Sequence, residues 1–272
     1  MSEADFSWTF APSVLLPLAL YAGVYAWRFR AARREAGGRG AGPVRAIAFG
    51  GAMVVLLVAF VSPVDALGDQ LFAMHMTQHV LLGDIAPLLL LLGLSRVILR
   101  PLTRRSVGVE RALGRLAHPA TGLTLWFALI YVWHIPGLYV AAIESPLVHV
   151  LEHASFFTAG IALWWPLIQP IPMRRPLSGL GVFAYLGTAK LGLGMLGLYL
   201  AWSNDVVYGY YEAVPRIWGL TPLEDQNLGG AIMLVEQSLV MVLVLLALFV
   251  RMLSQSEAEE LRRERLEDAA AV

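Results

Sequence analysis

The sequence predicts an all-α protein, a bundle of seven transmembrane helices with its N-terminus outside and its C-terminus in the cytoplasm. Three observations predict it. Of the 272 residues, 58% are hydrophobic and 15% charged, whereas a soluble domain sits near 45–50% and about 25%. The apolar residues gather into seven runs, each near the roughly 20 residues that cross about 30 Å of hydrocarbon. The basic residues gather at alternate ends of those runs.

Taken in order, the spans are predicted at Ala11–Phe29, Ala46–Ser62, Leu71–Leu94, Thr121–Tyr139, Leu147–Ile168, Gly179–Trp202 and Leu228–Arg251. Pro17 and Pro87 do not veto a membrane helix, because neighbouring helices re-satisfy the freed backbone groups. Gly187, Gly192, Gly194 and Gly197 in the sixth run suit close helix–helix packing. The spans form one membrane domain, 1–253, followed by a charged tail, 254–272, read as a short solvated helix in the cytoplasm. The first residues carry Glu3 and Asp5 and no Lys or Arg, so the first run reads as a retained helix rather than a cleaved signal.

Lys and Arg counts fix the predicted orientation. Arg28, Arg30, Arg33, Arg34, Arg39 and Arg45 follow the first run; Arg96, Arg100, Arg104, Arg105, Arg111 and Arg115 follow the third. Arg174 and Arg175 follow the fifth, and Arg251, Arg262, Arg263 and Arg265 the seventh. Of the 20 basic residues this leaves Lys190 and Arg216. The opposite ends carry Asp65, Asp69, Glu144, Asp205, Glu212, Glu224 and Asp225. Net charge is zero, which gives no electrostatic case for nucleic acid. There are no cysteines, so disulfides and thiolate metal sites are excluded.

Five of the six histidines fall at one predicted depth. His75 and His79 open the third span, His134 ends the fourth, and His149 and His153 open the fifth, all within roughly 10 Å of the outer interface at 1.5 Å per residue. Spacings of four put each pair on one helix face. Three helices delivering imidazoles to one level could build a metal site, against the plainer reading of interfacial histidines. His with Met and no Cys suits copper; a pure His set also suits zinc. Each Met (Met74, Met76, Met195, Met233) reads first as core filling.

Asp84 and Lys190 sit roughly 15–18 Å below the outer surface, where an unpaired charge is costly. They are expected to form a buried polar pair, either as bundle glue or as a functional network. Glu152 is read as lying on a different face from both histidines of its span. Thr221 and Glu224 match a capping box, with Asp225 and Gln226 expected to face the outer surface. Trp133, Trp164, Trp165, Trp202 and Trp218 fit an aromatic belt.

These residues carry a family likeness. Met74-His75-Met76-Thr77-Gln78-His79-Val80-Leu81-Leu82 with Ala86-Pro87 and Leu92-Gly93 resembles the third-span motif of the CtaG family, assembly factors of caa-type cytochrome c oxidase. Trp133-His134-Ile135-Pro136, His149 to His153, Trp164-Trp165-Pro166, and Trp218-Gly219-Leu220 with Leu223 to Gln226 and Gly229-Gly230 continue the likeness from about Val61 to Val250.

The resemblance implies a multi-pass protein of the bacterial plasma membrane. It implies a role in making a haem–copper oxidase, with the oxidase subunits, the lipid bilayer and a copper chaperone as candidate partners. No ligand set is carried over from the family. The leading reading is an accessory factor, not an enzyme, that binds copper through His75, His79, His134, His149 and His153. The alternatives are an intramembrane zinc hydrolase of ceramidase-like type, with zinc-bound water as the attacking group, and a b-haem protein with paired axial histidines. A transporter lacks the repeat symmetry that would support it.

Overall fold

The computed structural model describes residues 3–101, 118–172, 176–177 and 179–270. It is all-helical, 79% helix, with no strand among the described residues. Arg104, Arg105, Arg111, Arg115, Arg174 and Arg175 lie outside the described residues.

We number the helices in chain order. They are α1 (Pro12–Ala36), α2 (Pro43–Val61), α3 (Pro63–Gly68), α4 (Phe72–Gly93), α5 (Pro119–Trp133), α6 (Pro136–Glu144), α7 (Pro146–Ile168), α8 (Leu180–Trp202), α9 (Tyr210–Ala213) and α10 (Pro222–Ala270). Many begin with proline in the first turn. There the missing N–H is one the helix could not use, and the ring presets φ.

Five helices (α2, α4, α7, α8 and α10) are long and apolar enough to cross a membrane, and the bent pair α5–α6 is a sixth candidate if the two count as one span. α1 is 25 residues long but does not pass the same test of length and composition. The predicted fourth span is broken. Its helix stops at Trp133, and α6 leaves at 75°. The cause is local: Pro136 holds Ile135 extended (φ −65°, ψ 125°), and a residue before proline is kept out of the helical region. His134 therefore sits in a non-helical elbow (φ −87°, ψ 1°). The described part of the tail is not a separate helix, since α10 runs unbroken from Pro222 to Ala270.

α4 carries a π-helical turn, Leu81–Ile85, between the histidines above and Pro87 below. The wider turn shifts the phase of all that follows and turns Asp84 inward, 1% exposed. Such single wide turns often mark functional positions. Tight crossings surround it. A Cβ on Gly160 of α7 would meet the Gly83 backbone and Pro87 Cγ (2.7 Å), and one on Gly230 of α10 would meet Gly197 O of α8 (2.7 Å). Only glycine lets these backbones approach so closely.

The largest core cluster lies between α4, α5, α7, α8 and α10 and includes Phe72, Met76, Trp126, Phe156, Leu193 and Met233. Outward faces stay apolar: Leu147, Val150 and Leu151 on α7, Leu191 and Leu198 on α8, and Leu239, Leu243 and Leu246 on α10 are all exposed. Apolar surface on this scale marks contact with lipid or protein. At the basic end, Arg28 donates to Ile98 O and Val97 O (both 3.0 Å), and Arg45 to Leu92 O (3.1 Å) and to Leu94 O. Arg45 thus serves carbonyls that the end of α4 leaves free, and Arg28 serves carbonyls of the segment just after it.

Candidate metal centre

The first turns of α4 and α7 face each other at the acidic end of the bundle. α4 is held there by Asp225, fully buried, whose carboxylate accepts from Phe72 N (2.9 Å) and Ala73 N (3.0 Å) and pairs with Arg216 (3.2 Å). Asp225 is thus a cap supplied from α10, not an outward-facing acid as its position in sequence suggested. Gln226 also turns inward, bonding Val207 N (2.7 Å) and Asp205 O (3.1 Å). Thr221 and Glu224 form the predicted capping box: Thr221 N donates to Glu224 Oε2 (2.8 Å) and Glu224 N to Thr221 Oγ1 (3.2 Å).

Spacing of four puts His75 over His79 (ring centres 4.3 Å apart) and His149 over His153 (4.0 Å). The two pairs close on each other: His75 stacks on His149 at 5.5 Å, and His79 meets His153 edge-on at 5.4 Å. One ligand atom each from His75, His79, His153 and Glu152 lies within 4.8 Å of all the others, and all four residues are buried.

Glu152 corrects the reading of its face. Three residues beyond His149 on a helix is the same face, not a different one, and Glu152 is 0% exposed with Oε2 3.5 Å from His79 Nε2 and 3.9 Å from His75 Nε2. The signal was in the sequence, as i, i+3, i+4.

The remaining two histidines border this group. His149 is half-buried beside it. His134, in the elbow, lies 6.3 Å from His79 between ring centres, and its Nδ1 donates to Ile130 O (2.7 Å), leaving Nε2 as a free lone pair. Of the methionines, Met76 and Met233 are buried nearby but outside the quartet, and Met195 is 61% exposed.

The electrostatics are unusual. His75 Nε2, both nitrogens of His79, Nε2 of His134, His149 and His153, and both oxygens of Glu152 are buried without a hydrogen-bond partner. Buried polar groups are almost always partnered, and a bare buried carboxylate costs several kcal/mol. A cation held between these atoms would satisfy both the carboxylate and the imidazole lone pairs. Three neutral imidazoles and one carboxylate suit zinc or copper.

Below lies a second polar group. Lys190 Nζ meets Asp84 Oδ2. Two further donors serve the same carboxylate: Trp164 Nε1 to Oδ1 (2.6 Å) and Gln237 Nε2 to Oδ2 (3.0 Å). Trp164 is fully buried here and is not part of an interfacial belt. Lys190 also lies over its ring, 5.1 Å from the centre. Glu236, beside Gln237, completes the group. Trp164 and Gln237 were not legible as partners, because nothing along the chain states how α7 and α10 are rotated against α4.

No solved structure matches the chain. Uncharacterized proteins of Mycobacterium bovis and Mycobacterium tuberculosis are each 28% identical to it over 265 residues, 90% of this chain and 39% of theirs. One of Mycobacterium leprae is 26% identical over 235 residues, 79% of this chain and 35% of its own. The chain thus spans about two fifths of the length of these relatives. The family model described as cytochrome c oxidase caa3 assembly factor matches residues 23–255. With most of its length so matched, and the histidines of its motifs gathered at one end of the bundle, the chain belongs to the caa3 cytochrome c oxidase assembly factor family.

Proposed function

We propose that this protein binds copper at the outer face of the bacterial plasma membrane and passes it to a haem–copper oxidase during assembly. The observation that carries this reading is the buried quartet of His75, His79, His153 and Glu152, whose inward atoms have no partner within the protein. Neutral imidazoles supply borderline-soft donors, and the carboxylate supplies a negative charge that lowers the cost of holding a cation away from water. His149, half-buried above the quartet, and His134 beside it are the donors to which a departing ion would move. Exchange without covalent chemistry is what a hand-over needs.

In this reading the chain crosses the membrane seven times, α1 included, with N-terminus out and C-terminus in. The positions of the arginines support that orientation, which puts the quartet on the side where the oxidase subunits and a copper chaperone would meet it. Zinc suits the same donors, and Glu152 makes them more like a zinc hydrolase site than a pure His set would be. The test separates the two. Full-length protein is purified in detergent, and its metal content and affinity for cuprous, cupric and zinc ions are measured beside a variant with His75, His79 and His153 changed to Ala. Copper bound by the first and lost by the second supports the reading. Equal metal in both, or zinc preferred over either copper ion, overturns it.

A further inference from the structure

Between the quartet and the Asp84 group lies a cavity lined by Met76, His79, Gly83, Asp84, Trp126, His134 and Gln237, among others. It offers about 20 Å³ to the centre of a water molecule, and one water needs roughly 10–15 Å³. Besides His79 of the quartet, whose two ring nitrogens are both unpartnered, three of its lining side chains carry a buried polar atom with no partner: Trp126 Nε1, His134 Nε2 and Gln237 Oε1. These residues are 2%, 8% and 3% exposed. Trp126 can only donate. His134 Nε2 can only accept, because its other nitrogen donates to Ile130 O, and Gln237 Oε1 can only accept. One donor and two acceptors are the complement of a single water, which has a lone pair and two O–H bonds to offer.

The group at the cavity floor has an odd charge. Asp84, Glu236 and Lys190 come from α4, α10 and α8, and the other polar side chains against them, Gln237 and Trp164, are neutral. Fully ionised, the group would hold one net negative charge about 7.5 Å, five residues at 1.5 Å, below His79, where an uncompensated charge is expensive. Gln237 Nε2 donates both to Asp84 Oδ2 (3.0 Å) and to Glu236 Oε2, which brings the two carboxyl groups to one amide nitrogen. Two carboxyls that share a site cannot readily both ionise, so one of them keeps a proton. The count of charges and the geometry therefore ask for the same single proton.

We propose that Asp84 and Glu236, with Lys190, form a proton-binding site inside the membrane, which exchanges its proton with the outer side through the water held in the cavity. The shared proton sits between the carboxyl oxygens. On exchange one O–H bond of the pair breaks, the cavity water takes that proton and returns another, and no other bond changes. The site does not depend on a metal in the quartet. It gives the protein a neutralising proton at mid-depth that can leave or enter as charge above it changes.

Infrared spectroscopy of the full-length protein in lipid vesicles tests this without metal. The expected result is a protonated-carboxyl band at neutral pH that shifts when glutamate is carbon-13 labelled, shifts slowly in heavy water, and is lost in Glu236→Gln. Gly83→Ala tests the path. Its added Cβ would lie 3.6 Å from Trp126 Cη2 and 3.9 Å from Phe156 Cβ, an ordinary contact the fold accepts, while taking the water's space. The band should remain in that variant, with deuterium exchange slowed on the order of tenfold, as loss of one bridging hydrogen bond implies. Absence of any protonated-carboxyl band in the native protein, a band indifferent to the glutamate label, or unchanged exchange in Gly83→Ala would each overturn the proposal. The label makes the first readout independent of whether Glu236→Gln folds.

Discussion

Changing Lys190 to Met removes one charge from a site where both partners are almost fully buried, 4% exposed for Lys190 and 1% for Asp84. Breaking a buried ion pair by deleting one partner costs about 3–5 kcal/mol, chiefly from the charge left behind. Here Asp84 keeps two neutral donors, Trp164 Nε1 and Gln237 Nε2, and can take up a proton. The lower end of that range, about 3 kcal/mol, therefore applies. Asp84→Asn should cost less, about 2 kcal/mol, because the amide still accepts from Trp164 and Glu236 remains to face the lysine. The double variant removes both charges and should cost about 1 kcal/mol, since a buried pair replaced by neutral groups is often close to neutral in stability. The assay is thermal unfolding followed by tryptophan fluorescence in one detergent, where 1 kcal/mol shifts the midpoint by about 2–4 °C in a chain of this size. The singles should melt visibly lower and the double should recover most of the loss. A double variant whose loss equals the sum of the singles, within about 0.5 kcal/mol, would show the two residues to be energetically independent and refute the argument.

Other consequences can be measured in the same protein. Glu152→Gln should weaken metal binding by about 10–100-fold in a chelator competition, the range seen when a carboxylate supporting a metal site is neutralised; unchanged affinity removes Glu152 from the centre. Gly160→Ala should destabilise by about 1–3 kcal/mol through overpacking against the Gly83 backbone and Pro87. Gly187→Ala, with nothing within 4 Å of the new Cβ, should stabilise by roughly 0.5–1 kcal/mol, so equal melting of the two variants counts against the described helix crossing. Asp225→Ala strips the cap from Phe72 N and Ala73 N and one of several partners from Arg216. It should cost about 2–3 kcal/mol and speed hydrogen exchange of the Phe72 and Ala73 amides, whereas undiminished protection there would disprove the cap.

Features within one helix were legible in the sequence. The spacing of His75 to His79 and of His149 to His153, the Thr221–Glu224 box, and the depth of Asp84 and of Lys190 along their own helices all follow from rise and periodicity along a single segment. Features that needed two segments were not. Pro136 was visible and accounts for the break after His134, but the 75° angle at which α6 leaves depends on the space α6 finds against the bundle. Asp225 looked outward because its own helix begins at the surface, and only the approach of α4 turns it into a buried cap.

By itself the sequence determined which stretches are apolar enough for lipid, where along each of them the ionisable groups fall, and that any metal must be held without thiolate. It could do so because hydrophobicity and helical rise are local properties. Only the tertiary structure decided that Glu152 joins three histidines while His134 and His149 stay beside them, and that Gln237, Trp164 and Glu236 gather on Asp84. Those choices depend on how each helix is rotated about its axis. That rotation is set by the close crossings at Gly160 and Gly230 and by the wide turn at Leu81–Ile85, where contacts from other helices outweigh the chain's own periodicity.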